Sequence, residues 1–266
     1  MKRLHRVYHN HISARVWRCS PSIKPVLPSR HSSTIVTSAP SQQQHLASSI
    51  TTLLKDNNIR LTSLSHDLWR NVVQPGDNCI DATAGKGIDT TLLASLVGPT
   101  GHIYAFDVQQ EALETTKSAV KDNIDENSRP SIDYILGCHS EMTQRITAVL
   151  SSSHGDGDDD DDDDSSNIEG CVALVCFNLG YLPGKGDKNI TTRCETTLKA
   201  IQAAQQLLKP GGMVSVLSYL GHEEGRREYE AVKRGMVELP TYEWITLQVQ
   251  TLNRPSAPIL MTAQKR

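Results

Sequence analysis

The stretch from Asn78 to Gln110, NCIDATAGKGIDTTLLASLVGPTGHIYAFDVQQ, constrains the fold more than any other part of the chain. A short apolar run ends at Asp81 and opens into the glycine-bearing loop Asp81-Ala82-Thr83-Ala84-Gly85-Lys86-Gly87. Residues 88–97 have helical character and stop at Gly98-Pro99. A second apolar run, HIYAF, then delivers an acid, Asp107. Strand, loop, helix, strand and acid in that order make the first half of a nucleotide-binding βαβ unit.

The alternation continues downstream. Residues 109–123 predict a helix with Ala112, Leu113, Thr116 and Val120 on one stripe. Residues 132–136 predict a third strand and 141–150 a helix. CVALVCF (171–177) is an unbroken apolar run of the kind found in a central parallel strand. Residues 192–208 predict a helix closed by Pro210-Gly211-Gly212, followed by the strand MVSVLSY. A helix from Glu223 to about Val237 precedes two last strands, 243–251 and 259–263, with an antiparallel finish. Upstream, residues 46–70 predict one or two helices leading into the domain. The expectation is an α/β fold: a seven-stranded, mostly parallel sheet with helices on both faces.

Two segments stand outside that pattern. Residues 1–50 carry seven Lys/Arg and no acid, with no apolar run long enough for a secretory core or a membrane span. Residues 1–40 read as a disordered organellar transit peptide, for the mitochondrial matrix or the plastid stroma. Residues 151–167 include eight Asp between Asp156 and Asp164 and predict a disordered insert, because like charges at that density repel and cannot be buried. Without these two segments acids and bases nearly balance, so no global basic field announces a nucleic-acid binder and any RNA contact must be local. The six cysteines show neither CxxC nor Cys/His spacing of zinc type; no metal is expected. No membrane association is expected either. The domain proper spans residues 45–266.

The glycine loop selects among nucleotides. A dinucleotide fingerprint needs a third glycine three residues after Gly87, where Thr90 stands. A phosphate-binding P-loop needs glycine at Ile80 and Ser or Thr at Gly87. Asp81 adds negative charge beside the loop, which suits a cationic sulfonium and its ammonium better than a pyrophosphate. Gly85 and Gly87 are expected to let the backbone pass close to the ligand. Asp107 is placed to accept both ribose hydroxyls, and its alternative role is that of an acid at a helix N-terminus. After the third strand, either His139 touches the base or Ser140 caps the next helix. The ligand predicted is S-adenosyl-L-methionine, and its candidate contacts are Asp81, Thr83, Gly85, Gly87, Asp107, Gln109, His139 and Asn178.

After the fourth strand comes Phe177-Asn178-Leu179-Gly180-Tyr181-Leu182-Pro183-Gly184. This loop resembles the Asn/Asp-Pro-Pro-Tyr loop of methyltransferases that act on nitrogen, with Leu-Gly in place of Pro-Pro. The fuller resemblance is to a small family once named rRNA methylases. It rests on DATAGKGIDT (81–90), YAFDVQ (104–109), FNLGYLPG (177–184), GDKNITT (186–192), LKPGG (208–212), YLGHEEG (219–225) and Asn253. Lys86, where that family usually has Asn, the extra Lys185 and the aspartate insert depart from its pattern.

The resemblance implies a Rossmann-like class I methyltransferase fold and an S-adenosyl-L-methionine-dependent enzyme that methylates the aminomethyl group of wobble uridine in tRNA. It implies that Asn178 orients the target amine and that Tyr181 walls the pocket and favours a developing cation. The amine must lose a proton first, to Asp187, His222 or water. Lys185, Asp187, Lys188, Thr192 and His222 are the candidate substrate contacts, with tRNA phosphates met by the local basic loop. Two copies of the chain pair in the family, which implies a homodimer through the late strands. An rRNA or small-amine methyltransferase of the same fold, and a non-catalytic binding module, remain open alternatives.

Overall fold

The computed structural model describes residues 61–153, 168–180, 191–221, 223–254 and 257–266, all within the compact unit Ala39–Arg266. Residues 1–40, the aspartate run and the loop 181–190 lie outside the described residues. Of the insert expected at 151–167, the first three residues complete a helix, because its hydrogen bonding runs on to Ser153.

The chain runs α1 (Leu61–Val72), β1 (Asn78–Asp81), α2 (Ile88–Val97), β2 (His102–Asp107), α3 (Gln110–Asn123), β3 (Ser131–Leu136), α4 (Met142–Ser153) and β4 (Val172–Asn178). It continues with α5 (Cys194–Leu207), β5 (Leu208–Ser218), α6 (Glu223–Val237), β6 (Trp244–Val249) and β7 (Ile259–Lys265). The seven strands form one sheet in the order β3-β2-β1-β4-β5-β7-β6. β1 pairs in parallel with both β2 and β4. Only β7 runs antiparallel, between β5 and β6. The order reverses between β1 and β4, and such a switch point opens a crevice at the carboxyl ends of the strands.

Period-two alternation sorts the strand residues onto two faces. Ile80, Tyr104, Phe106, Val175 and Phe177 pack against Met142 and Ile146 of α4, Ala200, Ile201 and Ala204 of α5, and Tyr229, Val232 and Met236 of α6. Their neighbours Cys79, Ile103, Ala105, Leu174 and Cys176 pack against Trp69 of α1, Leu93, Ala94 and Val97 of α2, and Leu113 and Val120 of α3. Both faces are therefore covered, as the continuous apolar runs of β2 and β4 require. Burial on both sides also pushes the Cys79 and Cys176 thiols well up from their ordinary range.

One boundary differs from expectation. Pro210-Gly211-Gly212 lies inside a strand rather than in a loop before one; α5 stops at Leu207 and β5 begins at once. Val172 pairs with Leu208 and Leu174 with Met213, so residues 209–212 form a bulge in β5. Gly211 has φ 82° there. A Cβ on Gly212 would stand 2.9 Å from the carbonyl oxygens of Lys209 and Val172. Glycine is needed because the bulge folds back onto its own sheet.

Candidate active site

The β1 loop is stitched to both neighbouring strands by backbone bonds. Ala82 N–H donates to Cys176 O at 2.9 Å and Ala84 N–H donates to Phe106 O at 2.8 Å. Below it, Asp81 is fully buried. Its carboxylate accepts from Thr83 N–H at 3.1 Å and from Thr90 Oγ1 at 2.6 Å. Burial, and then the Asp89 charge, push the Asp81 carboxyl up to about 7. Asp81 does not line the cavity above. Its expected ligand contact is replaced by a bracing role, because both carboxylate oxygens are turned into the loop and the first turn of α2.

The two glycines also divide their work. Gly85 (φ 53°) lines the cavity. Gly87 (φ 77°) faces away from it: a Cβ there would stand 2.7 Å from Thr116 Cα in α3. The conformation and the close approach both require glycine, but the close neighbour is a helix rather than a ligand.

The crevice over β1, β2 and β4 is a cavity of about 590 Å³, within the size range of small-molecule sites. Its lining includes Ala82–Gly85, Asp107, Gln109, His139, Asn178, Gly180, Thr192 and Tyr219. At one end Asp107 accepts Gly85 N–H on Oδ2 at 3.0 Å and Gln109 N–H on Oδ1 at 2.9 Å. Burial raises the Asp107 carboxyl above its ordinary range, and those backbone donors oppose the rise. Each carboxylate oxygen keeps lone-pair capacity, so the residue is both locked in place and able to accept two vicinal hydroxyls. A crevice lined by two carboxylates, Asp89 and Asp107, against one cation, Lys86, with a fixed diol acceptor, fits the ribose and the cationic sulfonium of S-adenosyl-L-methionine.

His139 sits beneath the loop. Its Nδ1 is 3.1 Å from Ala82 O, which fixes that nitrogen as the proton donor. The ring meets Phe177 edge-on, with centroids 5.7 Å apart. Burial holds the imidazole below its usual range, hence neutral, and Nε2 has no partner. Ser140 does not cap a helix; its hydroxyl is 3.1 Å from Cys138 Sγ.

At the other end stands Asn178. Its N–H donates to Thr83 Oγ1 at 2.8 Å, joining β4 to the β1 loop. The Asn178 side chain hydrogen-bonds the Tyr219 hydroxyl, which also bonds Thr62 of α1. Gly180 N–H donates to Thr192 Oγ1 at 2.9 Å, and Thr192 N–H returns a bond to Gly180 O at 3.1 Å. The Thr192 hydroxyl in turn donates to Glu228 Oε2 at 2.8 Å, while Thr197 donates to Oε1 at 2.5 Å. Thr192 thus lines the cavity, but its hydroxyl is committed to holding the loop. Tyr181, Lys185, Asp187, Lys188 and His222 lie outside the described residues.

Three residues of this region escape the motif reading. Tyr219 lies in YLGHEEG without a sequence cue for its role. Asp89 looks like any first-turn helix acid. Glu228 carries the best signal: it shares the buried face of α6 with Gly225, Tyr229, Val232 and Met236, where an acid is out of place without partners. Among the described residues no three His, Cys, Asp or Glu are grouped to hold a metal.

A family model described as "Putative rRNA methylase" matches residues 103–265. A chloroplastic protein of Arabidopsis thaliana, tRNA (mnm(5)s(2)U34)-methyltransferase, is 37% identical over 212 residues, 78% of this chain and 70% of that protein. Among solved structures, the "putative rRNA-methylase" of Clostridium thermocellum is 32% identical with a TM-score of 0.65, over 77% of this chain and 97% of that one. A Streptococcus mutans structure in complex with SAH is 30% identical with a TM-score of 0.61, over 78% of this chain and 98% of that one. The sheet order and these likenesses give the fold as the Rossmann-like α/β fold of class I methyltransferases.

Proposed function

The chain belongs to the "Putative rRNA methylase" family, and on that premise we propose that it is an S-adenosyl-L-methionine-dependent methyltransferase of tRNA, acting on the aminomethyl group of wobble uridine. The observation that carries this reading is one crevice holding a fixed diol acceptor, Asp107, at one end and an anchored amide, Asn178, at the other. The Arabidopsis relative is named for the methylated aminomethyl-thiouridine at position 34, and this supports the choice of substrate.

When bound, S-adenosyl-L-methionine supplies an electrophilic methyl group on a sulfonium. The chain's own part is to bind, orient and exclude water. Asp107, held by Gly85 and Gln109, takes the ribose. His139 and Cys138 lie in the wall after β3. Asn178 offers its side-chain amide to the target nitrogen, and its backbone cannot drift, because Thr83 holds it from one side and the Gly180–Thr192 pair from the other. Tyr219 lines the cavity near Asn178, and Tyr181 is proposed to wall the pocket and favour the developing cation. Fixed positioning of two reactants is worth several kcal/mol of barrier, so catalysis here is chiefly geometry and desolvation.

Lys185, Asp187, Lys188 and His222 are proposed, from the sequence, as substrate contacts that meet the tRNA. The acid-free leader and the chloroplastic relative together support an organellar site of action, with plastid stroma ahead of mitochondrial matrix. The leader at 1–40 and the methyltransferase domain at 45–266 complete the proposed organisation.

The test is methyl transfer in a purified system. The chain, labelled S-adenosyl-L-methionine and tRNA bearing aminomethyl wobble uridine should give one methyl group per tRNA. The same tRNA lacking the aminomethyl group should give none. Equal labelling of both tRNAs would mean a different target.

A further inference from the structure

An aminomethyl group is protonated at neutral pH, and an ammonium has no lone pair with which to attack a methyl group. The site therefore needs a proton acceptor at the Asn178 end, and the described residues contain a group built for it. Asp89, in the first turn of α2, lines the same cavity as Asn178, Gly180 and Tyr219. Its Oδ1 lies 2.7 Å from His66 Nε2 of α1. The Asp89 side chain is 11% exposed and the His66 side chain 19%, so the pair spans from the cavity wall toward solvent. The His66 ring is steadied on Trp69, with centroids 4.9 Å apart.

A helix-capping acid needs no histidine, and a docked histidine needs no carboxylate in a ligand cavity. Their pairing across two elements puts a carboxylate in the cavity lining with its Oδ1 on the imidazole. The other titratable groups near Asp89 are poorly suited to the task. Asp81 of β1 is sealed under the loop and already engaged by Thr83 and Thr90. The Cys176 thiol of β4 is buried. Tyr219 beyond β5 is bonded to Asn178 and Thr62. Asp107 and the exposed Lys86 also line the cavity, but Asp107 is held by the backbone of Gly85 and Gln109.

Resting on the function proposed above, we propose that the Asp89–His66 pair is the proton acceptor for the target amine. One proton leaves the bound ammonium for the Asp89 carboxylate, and the N–H electron pair becomes the nucleophilic lone pair. That lone pair forms the N–C bond as the methyl group leaves sulfur with the C–S pair remaining on sulfur. The product is a secondary ammonium, so the cycle releases one proton. It leaves the Asp89 carboxyl for water as the product departs, while His66 Nε2–H keeps its bond to Asp89 Oδ1 and holds the carboxylate in place. No redox partner is required.

The rival role for the same carboxylate is holding the α-ammonium of the cofactor, and the experiment separates the two amines. Asp89→Asn should lower kcat/KM on aminomethyl-tRNA by about 100-fold or more, the usual range for loss of a general base. Its residual rate should climb about tenfold per pH unit until the amine is neutral in solution, while wild type stays flat over that range. Calorimetry should show SAH binding within threefold of wild type. His66→Gln, which keeps a hydrogen-bond donor beside Asp89, should show the same change from flat to sloped and decides the matter if the first variant does not fold. Wild-type-like kinetics in both variants would overturn the proposal. So would a loss of SAH affinity with methylthioadenosine affinity unchanged, since the carboxylate would then be holding the cofactor's ammonium. Failure of wild type itself to methylate aminomethyl-tRNA would instead overturn the proposed function.

Discussion

The Asn178 backbone amide donates to Thr83 Oγ1 at 2.8 Å, so the loop after β4 and the loop after β1 are held as one unit. The cofactor loop and the substrate loop share this joint. Thr83→Ala should leave SAH affinity within a few-fold of wild type and lower kcat about tenfold, the worth of one net hydrogen bond. Thr83→Ser should restore it. Steady-state kinetics beside calorimetry make the comparison, and a fall in SAH affinity without a fall in kcat would place the joint in the wrong role.

Asp107 is the proposed ribose acceptor, and its carboxylate is partly exposed. Asp107→Ala should therefore keep the fold and weaken SAH binding on the order of 100-fold, since hydrogen bonds to a charged group contribute about 1.5–3 kcal/mol each. Isothermal titration reads this directly.

The Gly180–Thr192–Glu228 chain predicts a stability cost. Thr192→Val leaves Gly180 N–H and one Glu228 oxygen without their partner and should destabilise by about 1–3 kcal/mol. Turnover should fall with it, while the KM for S-adenosyl-L-methionine stays near wild type. Denaturant titration gives the first quantity and kinetics the second.

Asp81 predicts a pH effect with a definite sign. Its carboxyl is raised from 3.8 to about 7 by burial and by Asp89, so the folded state holds this proton more tightly than the unfolded chain does. The stabilisation is fully present below the unfolded value near 3.8 and is lost as pH rises through about 7. Between pH 5 and 8 the melting temperature of wild type should fall relative to that of Asp81→Asn. A constant difference between the two across that range would contradict the assignment.

Periodicity and punctuation made the fold legible. Helix 88–97 and the strands around it follow from their apolar runs and from Gly98-Pro99. The bulge in β5 was hidden because Pro-Gly-Gly is also a common helix stop; only pairing of Val172 with Leu208 distinguishes them. The site was legible as a motif, less so as a set of roles. Asp81 and Gly87 stand in the cofactor motif, yet one faces the loop interior and the other faces α3, and spacing along the chain does not report which way a group points. Asp89, Tyr219 and Glu228 come to the site from three different elements, and no local pattern links them.

The most direct measurement is nucleoside mass spectrometry of organellar tRNA from cells with and without the protein. Loss of the protein should remove the methylated aminomethyl-uridine and accumulate its unmethylated precursor, and restoring wild type but not Asn178→Ala should reverse both. Unchanged amounts of the methylated nucleoside in cells lacking the protein would contradict the account.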